Sequence, residues 1–134
     1  MCIMVLLPTM KLDIHEIDSQ HEKLLQLLAQ AVSIVELNQN PHNTLTLLMA
    51  EFEKHFSDEI EYMTSLGFPF IGTHLVEHTL LVARLNNNIA QATRSELTHA
   101  NMSQLLQDAI DHIEQYDVLY AEYAKVVKQK GEAK

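Results

Sequence analysis

Apolar residues recur at helical spacing through four long stretches of this 134-residue chain, and short polar breaks separate them. The first stretch runs from about Asp18 to Leu37, with Leu24, Leu25, Leu28, Val32 and Val35 on one side. Ser19 and Glu22 have the spacing of a capping box and are expected to start it. "NQNP" closes it, and Asn40 with Pro41 opens the second helix, because a proline at the first helical position loses no intrahelical hydrogen bond. That helix carries Leu45, Leu48, Phe52, Phe56 and Met63 to Gly67, a residue suited to a left-handed stop, and "GFP" makes the corner. A third helix covers roughly Phe70 to Gln91 with Leu75, Leu81, Val82, Leu85 and Ile89 as its stripe. In the polar link "TRSELTHAN", Ser95, Thr98 or Asn101 is placed to cap the fourth helix. That last helix reaches about Lys128 along Leu105, Ala109, His112, Tyr116 and Tyr120, with lysines near its end as the helix dipole favours.

Four rods of about 20 residues, each about 30 Å long and joined by short links, predict one all-α domain. Its architecture is an up-down-up-down antiparallel four-helix bundle over residues 18–128, with an N-terminal arm at 1–17 and a C-terminal tail at 129–134. The composition agrees: 47% of residues are hydrophobic, with only 3 Gly and 3 Pro. A formal net charge of -9 repels phosphate backbones and anionic lipids, which argues against a nucleic-acid or membrane-surface partner. The apolar "MCIMVLL" is too short for a membrane span, lacks a basic flank and runs into Pro8, so it is read as an arm on the bundle of a cytoplasmic protein. Cys2 is the single cysteine and has no internal disulfide partner.

Eight histidines beside no tryptophan change the picture. His55 and Glu59, and again His74 and His78, are four apart on a helix and so present side chains to one point. His112 and Asp117 are five apart, turned by about 140° on a regular helix, so the carboxylate must reach around to join. His21 completes a set drawn from all four helices. Glu59 and His78 lie at similar distances either side of the 67–69 corner, so their depths match. Polar groups at core positions cost free energy unless satisfied. Five imidazoles and two carboxylates exceed the needs of one ion and suit two first-row metals bridged by the carboxylates. Iron is expected if the site handles oxygen; the donor types alone leave zinc and manganese open.

These motifs resemble the hemerythrin family, and more narrowly the bacterial hemerythrins. "IDSQH" ends at His21, "HFSDEIEYM" supplies His55 and Glu59, "GFP" is the corner, "HLVEH" supplies His74 and His78, and "HIEQYD" supplies His112 and Asp117. The likeness spans residues 17–123 and fills all seven ligand positions. It implies two non-haem irons: His74, His78 and His112 on one, His21 and His55 on the other, with Glu59, Asp117 and a solvent-derived oxo or hydroxo group bridging. It further implies reversible binding of dioxygen, the expected partner, at an open position of the two-histidine iron, in a carrier, store or sensor. Phe52, Phe56, Leu25 and Tyr116 are then expected to wall that position from water.

One departure bears on function. The family has Trp-Leu at four and three residues before the fourth-helix histidine, where this chain has Asp108 and Ala109. That exchange is expected to open a solvent path, to hasten autoxidation and to tilt the role towards sensing, with a signalling output domain or protein as partner. Asp108 faces either the pocket or the bundle edge. A competing class is a diiron enzyme, a peroxidase or a nitric oxide or oxygen reductase. The ferritin-like version needs Glu-x-x-His pairs, of which Glu96 to His99 is the only one, so no enzyme is expected beyond weak peroxidase or nitric oxide-reducing activity. His15, His42 and His99 are expected in solvent, as are Glu61 and Glu77. Met63 is expected in the core, and Tyr116, Tyr120 and Tyr123 in ordinary helix packing.

Overall fold

The computed structural model describes residues 10–132. Four rods form: α1 (His15–Glu36), α2 (His42–Leu66), α3 (Ile71–Thr93), and a fourth built from α4 (His99–His112), a π-helical turn (Ile113–Asp117) and α5 (Val118–Glu132). The described residues contain no strand. α1 packs on α2 and α4, and α3 packs on the same two neighbours, so the rods close a ring in chain order. Links this short turn the chain back on itself, which makes successive rods antiparallel. The molecule is a four-helix bundle. The chain segment "MCIMVLL", expected as an arm, lies outside the described residues, but Met10 and Leu12 behind it are buried against the bundle.

Several boundaries differ from the sequence expectation. α1 begins at His15, three residues early, so Ser19 and Glu22 lie inside the helix and form no capping box. The side chain that serves this end is Asp18, whose Oδ1 accepts from the Leu12 N–H at 2.9 Å and ties the incoming chain down. α5 runs on to Glu132, so most of the expected tail is helical. Gly67 does end α2 in the left-handed conformation (φ 68°): its own N–H donates to the Thr64 carbonyl, and the next, of Phe68, to that of Met63. Thr98 is the side chain that caps α4, accepting from the Asn101 N–H at 3.1 Å. Leu75, expected in the core, is 45% exposed, because His74 and His78 occupy the inward line of α3 at that level.

The core comes in two parts. Leu24, Leu28, Leu48, Phe52, Leu85 and Leu105 belong to one cluster. Leu12, Ile17, Met63, Phe68, Tyr120 and Ala121 form the other. Seven buried polar residues fall between them: His21 between Ile17 and Leu24, His55 and Glu59 between Phe52 and Met63, His74 and His78 ahead of Leu81, and His112 and Asp117 between Ala109 and Tyr120; buried Asn88 lies apart, between Leu85 and Ala92. The bundle thus encloses a polar layer between two apolar ones. No helix among the described residues is long and apolar enough to cross a membrane.

Candidate metal centre

All seven candidate ligands reach that layer, and each is at most 5% exposed. Each histidine among them turns Nε2 inward. Around Glu59, Oε1 lies 2.9 Å from His78 Nε2, 3.3 Å from His55 Nε2 and 3.8 Å from His74 Nε2. Around Asp117, Oδ1 lies 2.8 Å from His74 Nε2 and 2.9 Å from His112 Nε2, while Oδ2 lies 3.0 Å from His21 Nε2. The donors sort into two groups whose ligand atoms lie within 4.8 Å of one another: Glu59, His74, His78, His112 and Asp117 in one, His21, His55, Glu59 and Asp117 in the other. The two carboxylates are common to both. Each group could hold a metal ion.

Asp117 owes its place to the π turn. A turn closed by i to i+5 hydrogen bonds brings residues five apart to one face, so Asp117 stands over His112 without reaching around a regular helix. Local backbone geometry solves what the spacing alone left awkward.

A hydrogen-bonded polar core and a ligand cage can be told apart by direction. His21 Nε2, His74 Nε2, His112 Nε2 and both oxygens of Asp117 are buried without a hydrogen-bond partner, although nitrogen and oxygen approach within 2.8–3.0 Å. Those atoms come together without the geometry of a hydrogen bond. Buried polar atoms left so are costly, and a cation among them would satisfy them together. The residues present therefore fit bound metal.

Electrostatics show what occupies the donors otherwise. Burial pushes the Glu59 carboxyl up, but the charge of His55 and contacts with His55, His74 and His78 outweigh it and hold it well below its usual range. Burial and Glu59 raise Asp117, yet His112 and His21 draw it below its usual value. Burial lowers His74, and the Asp117 and Glu59 carboxylates overcome this to raise it to about 9. His55 is likewise raised by Glu59 against burial, whereas burial prevails at His78 and lowers it. Without metal, then, the two carboxylates favour the protonated forms of His74 and His55.

The surroundings orient the ligands. His55 Nδ1 lies 2.6 Å from Gln20 Oε1, and Gln20 Nε2 donates to Asp58 Oδ2 at 2.8 Å. An amide oxygen only accepts, so it holds the proton on Nδ1 and leaves Nε2 free as a ligand. Phe56 stacks on His78 (3.8 Å, 9°) and Tyr116 on His112 (5.6 Å, 26°). Tyr120 departs from the packing role expected of it: its hydroxyl donates to Glu59 Oε2 at 2.5 Å. Of its neighbours, Tyr123 donates to the Gly67 carbonyl at 3.3 Å. Gln20, Asp58 and Tyr120 were not singled out from sequence as partners of the ligands, though Gln20 stands beside His21 in "DSQH".

Beside the two-histidine group lies a cavity of ≈ 20 Å³ for the centre of a water-sized molecule. Besides ligands it is lined by Leu24, Leu25, Phe52, Phe56, Leu81, Ala109 and Ile113. Phe52, Phe56 and Leu25 thus line it, and Tyr116 does not. Asp108 is absent from this wall. It pairs with Arg84 at 2.8 Å and accepts from Gln104 at 2.9 Å in a polar cleft between α3 and α4. Of the two placements open for Asp108, the structure has the bundle edge, while Ala109 does present its methyl to the cavity.

The remaining histidines stay outside the centre. His15 is exposed, His42 is half-buried, and exposed His99 pairs with Glu36 at 2.8 Å. Glu96 pairs with Arg94 on the surface at 3.1 Å, so the lone Glu-x-x-His pair supplies no ligand. Glu61 is exposed and Glu77 half-buried. Comparison with protein-family models, with curated proteins and with solved structures found no match.

Proposed function

We propose that this chain is a non-haem diiron protein that binds dioxygen reversibly, as its resemblance to the bacterial hemerythrins implies. The observation that carries the reading is the division of seven buried donors into a three-histidine and a two-histidine group sharing Glu59 and Asp117. Imidazole with carboxylate is a donor set suited to iron. A bound iron pair would supply electrons to dioxygen and take them back.

The chain's own residues would do the rest. His21 and His55 provide one imidazole fewer than the opposite group, so these residues would leave room for an exchangeable ligand on a metal they held. The small cavity opens beside these two histidines and admits a molecule of about one water's size. Leu24, Leu25, Phe52, Phe56, Leu81 and Ile113 give that cavity an apolar wall and offer no side-chain proton to a bound ligand. With Asp108 held by Arg84 outside the cavity, the case for a leaky sensor loses its polar part, and reversible binding for transport or storage is the better supported role.

The test is to load the protein with iron(II) without oxygen, admit oxygen, and then remove it. A visible absorption band that appears and disappears over repeated cycles supports the reading. Steady consumption of oxygen or peroxide with an added reductant would favour the enzyme class, and a chain that takes up no iron would end the proposal.

A further inference from the structure

Tyr120 is fully buried, and its hydroxyl has Glu59 Oε2 as its hydrogen-bond acceptor, across 61 residues of chain. The two oxygens of Glu59 have different company. Oε1 faces His78, His55 and His74, whereas Oε2 faces the Tyr120 hydroxyl and, at 3.9 Å, His21 Nε2. Asp117 needs no such restraint: its short side chain leaves a π turn that fixes it, and its oxygens already divide between His21 on one side and His74 with His112 on the other. Glu59 has one more rotatable bond and sits on a regular stretch of α2.

We infer that Tyr120 is the positioning residue that keeps Glu59 shared between the two ligand groups, and so decides whether the chain holds two metals or one. The inference rests on the metal-pair reading above. Freed from the hydroxyl, the Glu59 carboxylate can turn both oxygens to the three-histidine group, where three imidazoles and Asp117 Oδ1 already wait. The two-histidine group would then keep only His21, His55 and Asp117 Oδ2. One metal position strengthens slightly and the other loses a donor.

Tyr120→Phe deletes only the hydroxyl. Anaerobic titration of wild type and variant with cobalt(II), counted by its visible absorption and by competition with a chelator, reads the two positions separately. The expected result is two metals on wild type; in Tyr120→Phe the first binds as before and the second is weakened about 10–100-fold, the usual effect of losing a partner of a ligand. Tyr62→Phe, which removes a hydroxyl from the neighbouring ring (5.8 Å between centroids), should match wild type. If Tyr120→Phe is too unstable to titrate empty, chelator extraction from protein refolded with metal should show one metal leaving faster by the same factor. Equal binding of both metals by wild type and Tyr120→Phe, or equal weakening of both, overturns the assignment and leaves the metal-pair reading standing. Absence of metal from wild type overturns both.

Discussion

Individual side chains in this bundle show how one polar layer is kept from being a defect. Gln20 accepts from His55 and is itself held by Asp58, so the imidazole is fixed in tautomer and direction before any ion arrives. Gln20→Ala should therefore weaken metal binding about 10–100-fold while leaving helix content unchanged, as chelator competition beside circular dichroism would show. Ala109 is the other informative position, since it presents a methyl to the cavity where the resembling family has leucine. Ala109→Leu overfills about 20 Å³ and is expected to cost about 1–3 kcal/mol on thermal unfolding, to slow oxygen uptake, and to leave the metal count alone. Asp108 could not be placed from sequence because its orientation is decided by Arg84, on another helix. Tyr120 shares that difficulty: helical spacing put it inside, but only the fold reveals that its acceptor is Glu59.

Helices carry most of what was legible. Pairs four apart on α2 and α3 must share a face on any regular helix, so His55 with Glu59 and His74 with His78 could be read directly. His112 with Asp117 could not, because five-residue spacing becomes productive only through the π turn, which is rare and interrupts an otherwise regular helix. The apolar stripe of α3 misled at Leu75 for a related reason: the inward line there belongs to histidines, and the hydrophobic residue is displaced to the surface. At the start of α1 the Ser19 to Glu22 spacing was a true pattern in the wrong place, overridden by burial of Leu12 and the Asp18 contact that anchors it. Gly67 was legible because glycine takes the left-handed stop without a Cβ penalty, whereas Asn38 (φ 57°) and Ser95 (φ 56°), which take the same region after α1 and α3, carry no such signal. A Cβ on Gly67 would meet no atom within 4 Å, so the penalty is conformational alone. Gly67→Ala should lower unfolding stability by about 1–2 kcal/mol with metal binding intact, measured by denaturant unfolding and metal titration.

At the scale of the molecule, the bundle surrounds a layer of charge with two apolar clusters, and its stability must answer to pH. In the metal-free chain His74 is raised from 6.5 to about 9, so the stability it contributes is complete below pH 6.5 and lost as pH rises through 9. Glu59 and Asp117 are lowered from 4.5 and 3.8, so theirs is present above those values and lost as pH falls through the lowered ones. A metal replaces the imidazole protons, so binding should release protons and weaken as the solution is acidified. Melting temperature against pH is then expected to fall between pH 6.5 and 9 for the metal-free chain and to stay level over that range once the metals are bound.

The central claim is that the seven donors hold two ions between them. It is tested most directly by counting iron per chain after anaerobic loading with iron(II) and removal of the excess. About two irons per chain, with a melting temperature above that of the metal-free protein, is the predicted result. A chain that retains no iron, and melts at the same temperature with and without it, would contradict the account.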